Sequence, residues 1–264
     1  MDASTQTFTA AIAPIAPIGF MPRTGAAAVT PPLKTSCSAC HLKDLCLPHG
    51  LDESDLSRLD GLMFGRRRLK EGQTVYLEGD SFQFLYAVRS GTFKSTLSLS
   101  DGREQVTGFQ MAGELMGLDG LASGKHASTA TALEDAEICA IPYPHLSELA
   151  ATQPALQQVL SRLLSREIVR EHGLMALLGS MSAEERVASF LLNISHRLKA
   201  RGYSPREFHL RMSRAEIGSY LGMKLETVSR TLSAFQQQRL LTVDKKHVCI
   251  LDFDRLMGAS DRLQ

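Results

Sequence analysis

The stretch RMSRAEIGSYLGMKLETVSRTLSAFQQQRLL, residues 211–241, decides how the C-terminal third of this chain folds. Ser213 and Glu216 have the spacing of a capping box, so we expect a helix over about 214–221. Gly222 then supplies a sharp turn before a second run of helical periodicity. Two helices joined by a glycine turn are typical of a helix-turn-helix.

The second helix is predicted over about 225–238, with three apolar side chains facing inward: Val228, Leu232 and Phe235. Its first turns present four polar side chains where a recognition helix meets base edges: Glu226, Thr227, Ser229 and Arg230. Arg230 can donate to guanine O6 and N7, Glu226 can accept from cytosine N4, and Ser229 can contact thymine or a phosphate. One such residue alone is typical of a solvated surface, but together they predict a DNA contact.

Positive charge is concentrated in the same part of the chain. The 264 residues carry a formal net charge of +1, yet the segment from 182 onward has 14 Lys and Arg against 9 Asp and Glu, a net of +5. The preceding part is therefore at −4. This asymmetry favours a C-terminal module that neutralises phosphates, attached to a module that does not. Chance variation is the alternative.

The N-terminal residues 1–34 are rich in Ala, Thr and Pro, and we interpret them as a flexible leader. They have no basic start followed by an apolar run, and no segment of the chain reaches the ~18 apolar residues that span a bilayer. An odd number of cysteines, five, does not suggest a disulfide framework. We therefore expect a cytoplasmic protein with reduced thiols and no membrane association.

From about residue 66 to 142, short alternating runs are separated by glycines, which predicts a small antiparallel β-roll. Ser100, Asp101 and Gly102 indicate a hairpin turn. Helical periodicity follows over about 155–178, with one stripe that is apolar except for a single glutamate: Leu160, Leu164, Ile168, Glu171, Met175 and Leu178. A long helix between a sheet domain and a basic helical domain favours dimerisation, although such a stripe is more often internal core.

A third helix is predicted to begin at Ser182, where Glu185 completes another capping box, and to end at Gly202. Two strands at about 241–245 and 247–252 would form a wing after the helix-turn-helix. Cys249 lies on the second of these strands, and we expect it to be a buried structural thiol.

Three cysteines lie within ten residues in the segment KTSCSACHLKDLCLPHG: Cys37, Cys40 and Cys46. Such spacing can bring three sulfurs to one metal centre, and Cys139 is the candidate fourth ligand. Zinc and an iron–sulfur cluster both remain open on spacing alone. His41 can ligate zinc, but exposure is the simpler interpretation.

Four motifs together resemble the FNR branch of the CRP/FNR superfamily from Cys37 onward: C-x2-C-x5-C-x-P, EICAIPY, YAVRSGTFKS and E-x-x-S-R in LETVSRTLSAFQ. The resemblance implies an α+β fold with a cyclic-nucleotide-binding-like jelly roll, a long dimerisation helix and a winged helix-turn-helix. The expected divisions are a leader (1–34), a cysteine loop plus β-roll sensor (35–150), a dimerisation helix (151–180) and a DNA-binding domain (181–264).

The resemblance also implies an oxygen-sensing activator of anaerobic or microaerobic genes. Cys37, Cys40, Cys46 and Cys139 would hold a [4Fe–4S] cluster that forms without oxygen and favours a homodimer. Oxygen would convert the cluster to a [2Fe–2S] form or remove it, and the dimer would separate. The family seats a carboxylate in the dimer seam where this chain has Glu171, between Ile168 and Met175, and two like charges there repel.

By the same resemblance, Glu226, Ser229 and Arg230 would read a TTGAT half-site, and a two-fold dimer would bind TTGAT-N4-ATCAA. The loop of Ser100, Asp101, Gly102 and Arg103 would contact RNA polymerase. The chain departs from the family at three points: His41 beside the second cysteine, Arg103 in place of an acidic residue, and Glu171 in place of aspartate.

Three other classes compete with this interpretation. A cyclic AMP-type regulator is suggested by AGELMG, which resembles part of a phosphate-binding cassette, but SGKHASTATA lacks the Arg-Ser pair that would hold the phosphate, so no cyclic nucleotide is expected. An iron–sulfur electron-transfer protein or redox enzyme would need a substrate or partner site. The sequence has no P-loop, dinucleotide-binding or nucleophile motif, so we expect no enzyme. A zinc-stapled regulator differs by carrying no sulfide.

Overall fold

In the computed structural model, which describes residues 36–62 and 65–260, the strand-rich segment forms two antiparallel sheets. The first sheet contains, in order, β1 (Gly65–Leu69), β8 (Ala136–Pro142), β3 (Phe84–Ser90) and β6 (Leu115–Met116). The second contains β2 (Thr74–Tyr76), β7 (Thr129–Ala132), β4 (Thr92–Ser98) and β5 (Glu104–Met111). The predicted β-roll is confirmed, and the expected leader lies outside the described residues.

Alternation along the strands sorts the side chains between the two faces of the roll. Val88, Phe93 and Ile138 are fully buried between the sheets. Cys139, the next residue on β8, points to the opposite face and packs with a second apolar cluster. Alternation therefore turns this thiol outward from the core of the roll.

The predicted hairpin turn joins β4 to β5. Gly102 adopts φ +82°, and its N–H donates to the carbonyl of Leu99 at 2.9 Å. A left-handed backbone at this position explains the preference for glycine. The side chains of the turn are exposed, and Arg103 Nε donates to Asp101 Oδ2 at 2.7 Å.

Three helices surround the first sheet: α1 (Glu53–Asp60), α2 (Tyr143–Thr152) and α3 (Pro154–Ser180). Proline at the first position of α3 starts this helix directly after α2, because proline has no N–H to leave unpaired there. Leu156 and Val159 of α3 are buried against Leu85 and Ile141 of the sheet. The first turns of α3 therefore belong to the apolar core against the first sheet.

The C-terminal part contains, in chain order, α4 (Ala183–Ala200), β9 (Glu207–His209), α5 (Arg214–Tyr220), α6 (Leu225–Gln237), β10 (Leu241–Asp244), β11 (His247–Ile250) and α7 (Phe253–Ser260). The predicted capping boxes at Ser182 and Ser213 are both present. The wing has three strands rather than two, since β9 pairs with β11.

The prediction that Cys249 is buried was wrong. Val248 and Ile250 occupy the buried face of β11, so alternation places Cys249 on the other face, where it is partly exposed.

Glu114 joins the β-roll to the C-terminal domain. Its carboxylate accepts from Arg197 of α4 and from Arg201, the residue after this helix, each at 2.5 Å, and from the N–H of Met111 at 3.0 Å. Arg201 Nε also donates to the carbonyl of Ala112 at 2.7 Å. Burial raises the pKa of Glu114, but the two guanidinium groups outweigh burial and hold the pKa below its usual value.

We expect Glu114→Gln to lower the free energy of unfolding by roughly 1–3 kcal/mol at pH 7, because two guanidinium groups lose their anionic partner. A carboxylate with a depressed pKa stabilises the fold above its unfolded-state pKa and ceases to do so once protonated. The difference from wild type should therefore close as the pH falls through the lowered pKa of Glu114. Urea unfolding at a series of pH values measures this difference.

The matched control is Glu104→Gln, which removes an exposed carboxylate of β5 and should change stability little. An equal loss in the two variants, or a loss in Glu114→Gln that does not depend on pH, would contradict the role given to the Glu114 carboxylate.

Candidate functional site

The cysteine loop, residues 36–49, is a series of turns anchored at both ends. Asp60 of α1 accepts hydrogen bonds from the N–H groups of Cys37 and Ser38. At the other end, Leu47 is buried at 1% exposure in the cluster that also contains Leu85. The loop is therefore fixed against the face of the sheet to which Cys139 points.

The fold brings the four predicted thiols to one place. Cys37, Cys46 and Cys139 pack with one apolar cluster, and Cys40 is near enough to help raise the pKa of each of them. All four are partly buried and free of disulfides. Burial is the main cause that raises the pKa of Cys37 and Cys139, and it raises that of Cys46 to about 12. A metal centre that binds thiolates must therefore displace protons from this site.

Thiolates are ligands of zinc and of iron–sulfur clusters alike, so the donor set fits either centre. Within residues 36–62 and 65–260, no three Cys, His, Asp or Glu side chains are arranged to hold one metal ion. A zinc ion draws all its sulfur ligands to about 2.3 Å from one point. In a [4Fe–4S] cluster each thiolate binds its own iron, so four sulfurs gathered at one place need not converge on a point.

Arg89 is a neighbour of the thiols that the sequence interpretation missed. Its Nη1 lies 3.7 Å from Cys40 Sγ, and its Nε lies 3.4 Å from Glu137 Oε2. The motif YAVRSGTFKS contains Arg89, so this resemblance was the signal available in the sequence. His41, next to Cys40, is exposed, as expected.

The middle of α3 presents an uncovered apolar face in the single chain. Ile168 and Met175 are 55% and 60% exposed, and Leu164 is also exposed. The ends of the predicted stripe differ, because Leu160 packs with the sheet cluster and Leu178 contacts the turn at Gly222. Only the central part of the stripe is therefore available to a partner.

Glu171 lies on this central part with its side chain about half exposed. Arg170 Nη2 approaches its Oε1 at 3.4 Å and also contacts Glu167. The carboxylate is thus partly neutralised within its own helix.

The helix-turn-helix has the predicted form. Val228, Leu232 and Phe235 are buried, as expected for the inner face of α6. Gly222 adopts φ +62° in the turn, and a Cβ on Gly218 would lie 2.6 Å from the carbonyl oxygen of Met223. Close packing of the turn against α5 therefore requires glycine at position 218, a requirement that the sequence interpretation did not include.

The four predicted DNA-contacting residues lie together in the first two turns of α6. Glu226 and Arg230 are exposed, whereas Thr227 and Ser229 are half-buried. Arg214, at the first position of α5, donates from Nη1 to Ser229 Oγ at 3.3 Å and so orients this hydroxyl. The capping box identified the start of α5 but gave no sign of this contact.

In the residues that the structure describes, none of the helices is both long and apolar enough to span a bilayer.

Two family profiles match the chain: a cyclic nucleotide-binding domain over residues 66–153 and a Crp-like helix-turn-helix domain over residues 185–259. The chain is 45% identical to the transcriptional regulatory protein btr of Bordetella pertussis, over 83% of this chain and 91% of that protein. It is 43% identical to the fumarate and nitrate reduction regulatory protein of Escherichia coli K12, over 83% and 88%.

Among solved structures, FixK2 from Bradyrhizobium japonicum is similar with a TM-score of 0.71 and 29% identity, covering 77% of this chain and 100% of that one. The profiles, the relatives and this shared architecture agree with the β-roll and the helix-turn-helix described above. The chain therefore belongs to the FNR branch of the CRP/FNR family of DNA-binding transcription regulators, and it is not an enzyme.

Proposed function

We propose that the chain is an oxygen-responsive regulator in which Cys37, Cys40, Cys46 and Cys139 hold a [4Fe–4S] cluster. The observation that carries this proposal is the gathering of four free thiols where the cysteine loop meets β8. When bound, the cluster supplies an oxygen-labile bond between the loop and the roll. Arg89 offers a positive charge and a donor to the thiolates, which carry negative charge in the bound state.

The dimer would form through α3. Its central face exposes Ile168 and Met175, and apolar side chains of this size stabilise an association when a second copy covers them. Glu171 opposes the association, because two carboxylates would approach each other across the seam. We propose that the cluster-dependent packing of the cysteine loop against the start of α3 tips this balance by a few kcal/mol.

The dimer would present two copies of α6 to a palindrome of the TTGAT-N4-ATCAA type. Arg230 would donate to guanine, Glu226 would accept from cytosine, and Ser229, oriented by Arg214, would contact thymine or a phosphate. Thr227 lies beside them at the edge of the interface. The regulator would act in the cytoplasm. When it activates transcription, RNA polymerase would be contacted by the exposed turn of Ser100, Asp101, Gly102 and Arg103.

The cluster assignment predicts a specific composition. Chain purified without oxygen should contain about four iron and four sulfide per chain, as a four-thiolate cluster requires. Cys139→Ser should lose most of both, because it removes one of the four ligands. Cys249→Ser is the matched control and should retain both, since Cys249 lies in the wing. A colourless wild-type protein with zinc and no acid-labile sulfide would refute the assignment.

The role of Glu171 predicts the oligomeric state. Glu171→Ala should sediment as a dimer in air, because it removes like charges from an apolar face that is otherwise exposed. Glu148→Ala removes an exposed carboxylate of α2 instead and should remain monomeric in air. Analytical ultracentrifugation distinguishes the states, and a monomeric Glu171→Ala protein would count against the seam.

The role of Arg230 predicts a loss of sequence discrimination. Arg230→Ala should reduce the preference for the guanine of the half-site by roughly 1–3 kcal/mol, because a bidentate donor to O6 and N7 is removed. The measurement is an anaerobic titration of operators with and without that guanine. Arg239→Ala, an exposed arginine beyond the end of α6, should keep the preference. Unchanged preference in Arg230→Ala would exclude the base contact.

A further inference from the structure

An anion-binding nest in the β-roll is occupied by a carboxylate of the same chain. Asp119 Oδ2 accepts from the N–H of Ala127 at 3.0 Å, from the N–H of Ser128 at 2.9 Å and from the hydroxyl of Ser128 at 2.7 Å. Two consecutive backbone N–H groups and a hydroxyl that converge on one oxygen form a site for an oxyanion.

Packing fixes the position of Asp119. It lies in a single 3₁₀ turn, Leu118–Gly120, that follows Gly117 at φ +92°. A Cβ on Gly120 would lie 2.6 Å from the ring of Phe82, so this turn has little room to move. The packing of this turn therefore fixes the backbone from which the Asp119 side chain points into the nest.

An aromatic wall encloses the inner side of the nest. The His126 side chain is only 1% exposed and stacks on Tyr76, with 3.7 Å between the ring centroids. Phe82 meets the same imidazole edge-on at 5.5 Å, and His126 Nδ1 lies 3.4 Å from Asp119 Oδ1. The outer side is more open, since the Asp119 side chain is 25% exposed.

The nest lies within the part of the chain that matches the cyclic nucleotide-binding domain. Its turn follows the sequence AGELMG, which resembles part of a phosphate-binding cassette. We propose that Asp119 is an internal substitute for a phosphate group: its carboxylate fills the oxyanion nest of the β-roll, so the nest accepts no phosphate from solution. This inference concerns the roll alone and does not depend on the cluster.

The Asp119 carboxylate both excludes a dissolved phosphate and satisfies the donors of the nest. With Asp119 in place, an incoming phosphate finds its donors used and meets a like charge at contact distance. Without the carboxylate, two N–H groups and a hydroxyl lose their acceptor, and unpaired donors of this kind destabilise a fold. A dissolved phosphate that enters from the open side would satisfy them again.

The test is anion rescue of the full-length Asp119→Ala protein, followed by thermal unfolding. We expect the Tm to fall by roughly 5 °C and about 10 mM inorganic phosphate or cyclic AMP to raise it again by roughly 3 °C, with sodium chloride at equal ionic strength as the reference. Wild type should shift by less than about 1 °C with either compound. Phosphate and cyclic AMP in separate arms show whether a free ion or a phosphodiester enters.

Two variants provide the controls. Asp119→Ala combined with Ser128→Ala should lose the rescue, because one of the three donors is removed. Asp80→Ala deletes another carboxylate of the roll, which accepts from the N–H of Leu77 at 2.9 Å, and phosphate should not restore its Tm.

The proposal is overturned if neither compound stabilises Asp119→Ala, or if either stabilises wild type to the same extent. If Asp119→Ala does not fold in buffer alone, refolding it in phosphate tests the same proposal. Recovery of the native circular dichroism spectrum only with phosphate supports the internal ligand, and failure to recover it with phosphate counts against the proposal.

Discussion

Leu47 packs into the apolar cluster beneath the cysteine loop and so joins the loop to the first sheet of the β-roll. This residue follows Cys46 and is buried with side chains of β3 and β8 and with Leu156 and Val159 of α3. The loop that carries three thiols and the first turns of the long helix therefore share one core. Because closely packed side chains tolerate little displacement, a movement of the loop would displace the first turns of α3.

A second connection leads from the loop to the DNA-binding domain. Leu45 packs so closely on Gly113 that a Cβ there would lie 2.8 Å from the leucine Cβ. The next residue, Glu114, carries the carboxylate held by Arg197 of α4 and by Arg201 just after it. The cysteine loop thus shares a core with the start of the helix that bears the exposed apolar face, and it contacts the residue of the roll beside Glu114, which the DNA-binding domain holds.

Local patterns in the sequence were sufficient for the roll and for the helix-turn-helix. Alternation and glycines delimited the strands from about residue 66 to 142, and two capping boxes set the starts of α4 and α5. These features depend on residues only a few positions apart. The spacing of Cys37, Cys40 and Cys46, with Cys139 as candidate fourth, predicted that the thiols gather at one centre. Only the resemblance to a family favoured a cluster over zinc.

The remaining features depend on contacts between residues far apart in the chain. The strand β9 is three residues long and too short to show alternation, so only its pairing with β11 defines it. The Glu114 contacts and the approach of Arg89 to Cys40 join distant segments. Leu160 and Leu178 leave the exposed stripe because neighbouring elements cover them.

We propose that oxygen acts on DNA binding through a cluster on the four gathered thiols. The most direct measurement follows the visible absorption of anaerobically purified protein and its binding to a fluorescent palindromic operator in one sample while air is admitted. We expect the two signals to decay together and anaerobic reconstitution with iron and sulfide to restore both. Operator binding that persists unchanged after the absorption has bleached would contradict it.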